Sequence, residues 1–142
     1  MIPPVIFGDA SFYIALFSVR DLYHDRAVGW PRALAAAKSR IVTTEQVLWE
    51  VLGGLSALGT RATAMQGYRL LHRDAGTEIV EPDPLLMAEA LAMYDARRDK
   101  EWGITDCLSF VVMQRWGLSA ALTADHHFEQ AGFEALLLIL DG

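Results

Sequence analysis

Four acidic residues stand where acids are awkward, and their chemistry depends on whether they meet. Asp9 follows an apolar run in "VIFGDASF", and Asp125 follows another in "AALTADHHF". Glu50 lies in "TTEQVLWEVL" and Asp106 begins "DCLSFVVM", an otherwise apolar stretch. Each has an ordinary explanation. Asp9 and Asp125 are good N-caps for a following helix, and Asp106 in a first helical turn complements the helix dipole. Glu50, about 60° from Val47 on a helical wheel, can flank a core-facing stripe. If the four converge, however, their repulsion raises some of their pKa values and destabilises the metal-free fold. Divalent cations relieve that repulsion, and an all-oxygen donor set favours Mg²⁺ or Mn²⁺. Such a site suits phosphodiester hydrolysis, where metal activates water and stabilises charge developing on the phosphate.

The two histidines after Asp125 look like the more obvious ligands. Adjacent residues on a helix or strand point in different directions, so His126 and His127 are not expected to face one metal together. They read as a solvent-facing turn, with Phe128 packed beneath it.

The elements that must position these residues are readable from patterning. Strands are expected at Val5–Phe7, Arg40–Thr43, Thr77–Val80, Ala120–Thr123 and Ala135–Leu140. Helical patterns fill the intervals. They run over Ser11–Phe17, Leu22–Lys38 (divided or kinked at Trp30-Pro31), Thr44–Leu58, residues 60–73, Pro84–Arg98 and Thr105–Trp116. Asp83 followed by proline predicts one helix start, Thr105 is expected to cap another, and Gly117 predicts a stop. The helices at 44–58 and 60–73 are expected to form an antiparallel, projecting pair. Gly53 and Gly54, one turn beyond Glu50, should leave open space above its carboxylate. Strands alternating with helices imply parallel crossovers and a three-layer α/β domain. In such sheets ligands bind beyond the carboxyl ends of strands, which is where Asp9 and Asp125 fall.

The whole chain sets bounds on function. Its 142 residues suit one domain, residues 1–142, with 53% hydrophobic and 21% charged residues and no low-complexity tract. The formal charge of −6 argues against bulk electrostatic binding of nucleic acid, but not against reaching phosphates through metal ions. Cys107, the single cysteine, reads as a core residue and is compatible with a reducing compartment. No signal peptide or membrane span is apparent, so a soluble cytoplasmic protein is expected. Arg97, Arg98 and Lys100 interleave with acids and read as a solvated helix end. Trp30, Trp49, Trp102 and Trp116 read as packing residues.

The "DAS" after the first strand, the glutamate in "TTEQVLWEVL", the "TDCLSF" opening a late helix and "LTADHHFEQAGF" together resemble the PIN domain. The stretch "GITDCLSFVVMQRWGLSAALTADHHFEQAGF" is especially similar to VapC-type toxins and their free-standing relatives. The resemblance runs from about Val5 to Phe133. It implies a parallel five-stranded sheet of order 3-2-1-4-5, which places the first and fourth strands side by side. It further implies that Asp9, Glu50, Asp106 and Asp125 are the catalytic, metal-binding acids of a Mg²⁺- or Mn²⁺-dependent ribonuclease. Ser11 would orient Asp9 or a nearby water, and Thr105 would do similar work at Asp106. The implied partners are RNA, a small antitoxin protein and a second copy of the chain.

Other classes remain to be weighed. A phospho-acceptor receiver domain needs a late lysine, and the only lysines are Lys38 and Lys100, neither after a late strand. A phosphoaspartate phosphatase would show D-x-D where this chain has Asp9-Ala10-Ser11. A non-catalytic RNA-binding or interaction module has no need of four acids. A structure-specific DNA nuclease would use the same metal chemistry, and the preference for RNA comes from the resemblance alone.

Overall fold

Residues 1–139 are described by a computed structural model. The elements, in chain order, are β1 (Val5–Gly8), α1 (Ala10–Phe17), α2 (His24–Ala27), α3 (Trp30–Ala37), β2 (Arg40–Thr44), α4 (Glu45–Gly54) and α5 (Arg61–Arg73). They continue with β3 (Thr77–Val80), α6 (Pro84–Ala96), α7 (Ile104–Trp116), β4 (Ala120–Leu122), α8 (His126–Gln130) and β5 (Glu134–Ala135). All strand pairs are parallel, and the five-stranded sheet has the order β3-β2-β1-β4-β5. Helices flank it in the expected three-layer α/β/α arrangement.

Local chemistry sets the boundaries. The Asp83 carboxylate accepts from the Leu86 amide at 2.8 Å, with Pro84 opening α6. Thr44 caps α4 by accepting from the Val47 amide at 3.1 Å. Gly117, at φ 67°, takes the left-handed turn that ends α7 and costs an L-residue side chain most. The core runs through Ile6, Phe7, Phe12, Val47, Leu48, Phe110, Val112, Leu122 and Phe128, all essentially inaccessible. Cys107 is buried among them, as its apolar neighbours predict.

The register determines what happens at the sheet's carboxyl edge. Gly8 pairs with Leu122 across β1 and β4, and the Asp9 amide extends the ladder by donating to the Leu122 carbonyl at 3.1 Å. The residues after these two strands therefore emerge side by side. Gly8 is required here by space rather than by φ. A Cβ at this position would lie 2.6 Å from the Tyr13 hydroxyl oxygen and 3.0 Å from Ile41.

Several expectations are corrected. The Leu22–Lys38 helix is two helices, broken at Val28-Gly29 rather than at the proline, which sits in the first turn of α3 directly after Trp30. The Thr44–Leu58 helix ends at Gly54, and Leu58, the last residue of the expected helix, is 97% exposed. The α4–α5 pair does not project. Ala64 and Gly67 are buried, and α5 packs on α1, α4 and β3. The space above Gly54 is filled by Ile14, 2.8 Å from where a Cβ would stand, while Gly53 does face open space. The final strand is only Glu134–Ala135. Leu136–Leu138 form a turn, and the Leu140 end of the expected strand lies outside the described residues.

Candidate active site

The site begins where β1 and β4 end. Asp9, 6% exposed, caps α1, its Oδ2 accepting from the Ser11 amide at 3.4 Å and the Ser11 hydroxyl at 2.9 Å. The Thr123 hydroxyl donates to the same oxygen at 2.7 Å. Ser11 Oγ in turn lies 3.0 Å from Thr123 Oγ1 and accepts from the Ala124 amide at 2.9 Å. Thr123 Oγ1 accepts from the Asp125 amide at 3.0 Å. One small network thus ties both strand-end acids to a common backbone frame.

Asp125 caps α8, accepting from the His127 amide at 2.9 Å. Asp106 arrives from α7, with its Oδ2 accepting from the Gly103 amide at 3.0 Å. Gly103 is therefore the N-cap, and the expectation that Thr105 caps this helix is corrected. Glycine has no side chain to cap with, so Asp106 closes the turn from the third position. Thr105 acts on Glu50, drawing its carboxyl downward against the rise caused by burial.

Electrostatics shows that the four acids share one neighbourhood. Burial pushes the Asp9 carboxyl up to about 6 against the combined pull of Thr123, Ser11 and the Ala10 amide, and the Asp106 charge adds to the rise. Asp106 is raised first by burial and then by Asp125, with Gly103 and His127 opposing. Glu50, at the exposed rim on α4, is raised by partial burial of its carboxyl and by the charges of Asp106 and Asp125. Among the described residues no lysine or arginine forms an ion pair with any of the four. Acids gathered without a basic counter-charge are what a hard divalent cation fits, and their carboxylate oxygens suit Mg²⁺ or Mn²⁺.

The histidines depart from expectation. His126 is exposed, its side chain 68% accessible, but the His127 side chain is only 19% accessible. His127 Nδ1 stands 3.2 Å from Asp106 Oδ2 and 3.4 Å from Asp125 Oδ1. One donor atom from each of Asp125, His126 and His127 lies within 4.8 Å of the others. Adjacency does not carry the rings far apart, their centroids lying 4.5 Å from one another, but only His127 turns inward to Asp106 while His126 stays exposed beside Asp125. The residues missed from sequence are Thr123 and His127. Thr123 had one usable signal, a hydroxyl at the last inward-facing position before the strand-end acid. Phe128 does pack beneath the loop, its ring centroid 4.9 Å from that of Phe110 and 6.3 Å from that of Phe7.

Comparison with known proteins agrees with this picture. The PIN domain family model matches residues 6–134. The chain is 31% identical over 131 residues to the 23S rRNA-specific endonuclease VapC20 of Mycobacterium tuberculosis, strains CDC 1551 / Oshkosh and ATCC 25618 / H37Rv. That alignment covers 91% of this chain and 95% of the relative. The crystal structure of M. tuberculosis VapC20, described as a sarcin-ricin loop cleaving toxin, superposes with a TM-score of 0.79 at 26% identity, covering 90% of this chain and 95% of that one. With its sheet order, the placement of its acids and a family match across almost all of its length, the chain belongs to the PIN domain family.

Proposed function

We propose that this chain is a VapC-type endoribonuclease, the toxin half of a toxin–antitoxin pair, which hydrolyses RNA phosphodiester bonds with Mg²⁺ or Mn²⁺. PIN-family membership and the named relatives support the reaction class. The observation that carries the site is the gathering of Asp9, Glu50, Asp106 and Asp125, in which the Asp106 charge acts on Asp9 and Glu50 and the Asp125 charge on Glu50 and Asp106, with no lysine or arginine paired to any of them among the described residues.

These four acids would hold the cation. When bound, it supplies electrophilic stabilisation of the phosphate and favours deprotonation of the attacking water. The chain's own residues do the rest. Thr123 and Ser11 hold Asp9 in one orientation, so that its free oxygen is presented without rotamer search. Ser11 and Thr123 also lock the Asp125 loop to α1. His127, between Asp106 and Asp125, can hold or pass a proton at Nδ1. Glu50 closes the site from α4, and Thr105 steadies it.

The chain is a single domain working in the cytoplasm, silenced by a small antitoxin and assembled as a homodimer. Among the described residues no helix is long and apolar enough to cross a membrane. Leu85, Met87, Leu91 and Tyr94 on α6, with Ile104, form an exposed apolar surface beside a cavity of about 150 Å³, suitable for covering by a second copy.

The test is cleavage of labelled RNAs, including a 23S sarcin–ricin stem-loop, and matching DNAs, with Mg²⁺, Mn²⁺ or chelator. Metal-dependent RNA cleavage lost in Asp9→Asn is expected. Equal cleavage by the variant would assign the activity to a contaminant, and DNA cleavage of similar efficiency would overturn the RNA preference.

A further inference from the structure

The acids account for chemistry at a phosphate but not for how an acidic chain holds its RNA. A second cluster lies at the same sheet edge, one residue from Glu50. Glu45 opens α4 directly after β2, and three side chains converge on its carboxylate. Trp49 Nε1 donates at 3.1 Å, the Tyr68 hydroxyl donates to the same oxygen, and His72 Nε2 lies 3.1 Å from the other. The Tyr68 and His72 rings are 4.6 Å apart at their centroids. These partners satisfy Glu45, but Trp49 stays 68% exposed. An indole fixed by its N–H with its surface in water is poorly explained as packing. It has already lost the rotamer freedom that a stacking partner would otherwise have to remove.

The charge pattern beside it is equally uneven. Helix α5 carries Arg61, Arg69 and Arg73 and no acid, leaving nine basic residues against eighteen acidic ones in the rest of the chain. Arg69 and Arg73 are exposed and form no ion pair among the described residues. Asp74, which follows at the C-cap, is occupied with the Thr77 hydroxyl at 2.6 Å. On a helical wheel Arg69 lies about 60° beyond His72, toward the outer side of the flank that meets Glu45.

We propose that Trp49, anchored to the Glu45 carboxylate that Tyr68 and His72 also hold, is the platform on which a base flanking the scissile phosphate stacks. Arg69 and Arg73 take phosphates of the same strand. This rests on the ribonuclease reading of the neighbouring acids. Every base has a π-face, so the platform adds affinity without demanding one sequence. The α5 arginines supply the salt-sensitive part.

The test uses the full chain and fluorescein-labelled RNAs of mixed sequence, single-stranded and stem-loop. Affinity is read by anisotropy in chelator, so that turnover does not interfere, and cleavage is read separately with metal. Trp49→Ala is expected to weaken binding roughly tenfold and raise KM with kcat nearly unchanged, while Trp49→Phe keeps most of the affinity. Arg69→Ala and Arg73→Ala should each reduce the slope of log affinity against log salt by about 0.7–0.9, which Trp49→Ala leaves alone. Unchanged affinity in a folded Trp49→Ala variant overturns the platform. A change in its oligomeric mass at constant RNA affinity reassigns this face to self-association and overturns it as well. Wild-type protein that binds RNA in this pattern without metal-dependent cleavage leaves the platform standing and removes the nuclease reading. Wild type that binds no RNA removes the platform.

Discussion

Two acid-rich regions of this protein treat negative charge in opposite ways. Around residues 95–101, Arg97 grips Asp99 through two contacts of 3.0 and 3.1 Å, and Arg98 grips Asp95 at 2.8 Å, all in solvent. The Arg97 guanidinium holds the Asp99 carboxyl below its ordinary value. At the carboxyl edge of the sheet, Asp9 is buried, its partners are hydroxyls and an amide, and its carboxyl is pushed up to about 6. The first region is complete as it stands, with its counter-charges built in. The second has orientation without a lysine or arginine to neutralise it among the described residues, which is an arrangement a bound cation would complete. Acidic residues alone would not single out this edge; what distinguishes it is that no lysine or arginine pairs with its four acids among the described residues.

The contrast breaks most visibly at Asp9. Asp9→Asn should lower RNA cleavage on the order of 10³-fold while leaving the circular dichroism spectrum unchanged. Activity within tenfold of wild type would mean that the buried acid is merely a cap. The same residue predicts an inverted pH dependence of stability. Its folded-state value of about 6 exceeds the ordinary 3.8, so the native state binds the proton more tightly than the unfolded one. Stability from this group is therefore full below about 4 and lost as pH rises through 6, by about 3 kcal/mol. Thermal melts in chelator should fall across that window, and added Mg²⁺ at neutral pH should restore them. Asp9→Asn should flatten both responses.

Smaller changes sharpen the comparison. Thr123→Val removes a donor from Asp9 and an acceptor from the Asp125 amide, and should cost about 10–100-fold in metal affinity or activity. Titration of metal-dependent stabilisation would separate this from a folding defect. Gly8→Ala drives a Cβ against the Tyr13 hydroxyl oxygen and should cost about 1–3 kcal/mol in denaturant unfolding, with the site chemistry otherwise intact. Asp99→Asn, in the self-neutralised region, should change stability by less than about 0.5 kcal/mol and leave cleavage untouched. A large effect there would show that the exposed pair does more than solvate a helix end.

Much of the frame was legible because it rests on short-range chemistry. Asp83-Pro84 and Gly117 marked helix ends through capping and left-handed φ, and the apolar runs before Asp9 and Asp125 marked strands. Residues that act on the site across long sequence separations were not legible. Thr123 touches Asp9 from 114 positions away, and His127 reaches Asp106 from 21. The α4 boundary failed for a related reason. Leu58 keeps the helical period, but the chain turns at Leu55 and carries it into solvent.

By itself, the sequence determined the alternation of strands and helices, the burial of Cys107 and Phe128, and the placement of two acids at strand ends. Those properties follow from side-chain period, capping and transfer out of water, each sensed within a few residues. The tertiary structure decided that β1 and β4 are neighbours, that Asp9 has hydroxyl partners rather than a basic one, and that His127 enters the site while His126 stays outside. Sheet order and counter-charge are properties of distant segments packed together, and no local pattern encodes which of those segments will meet.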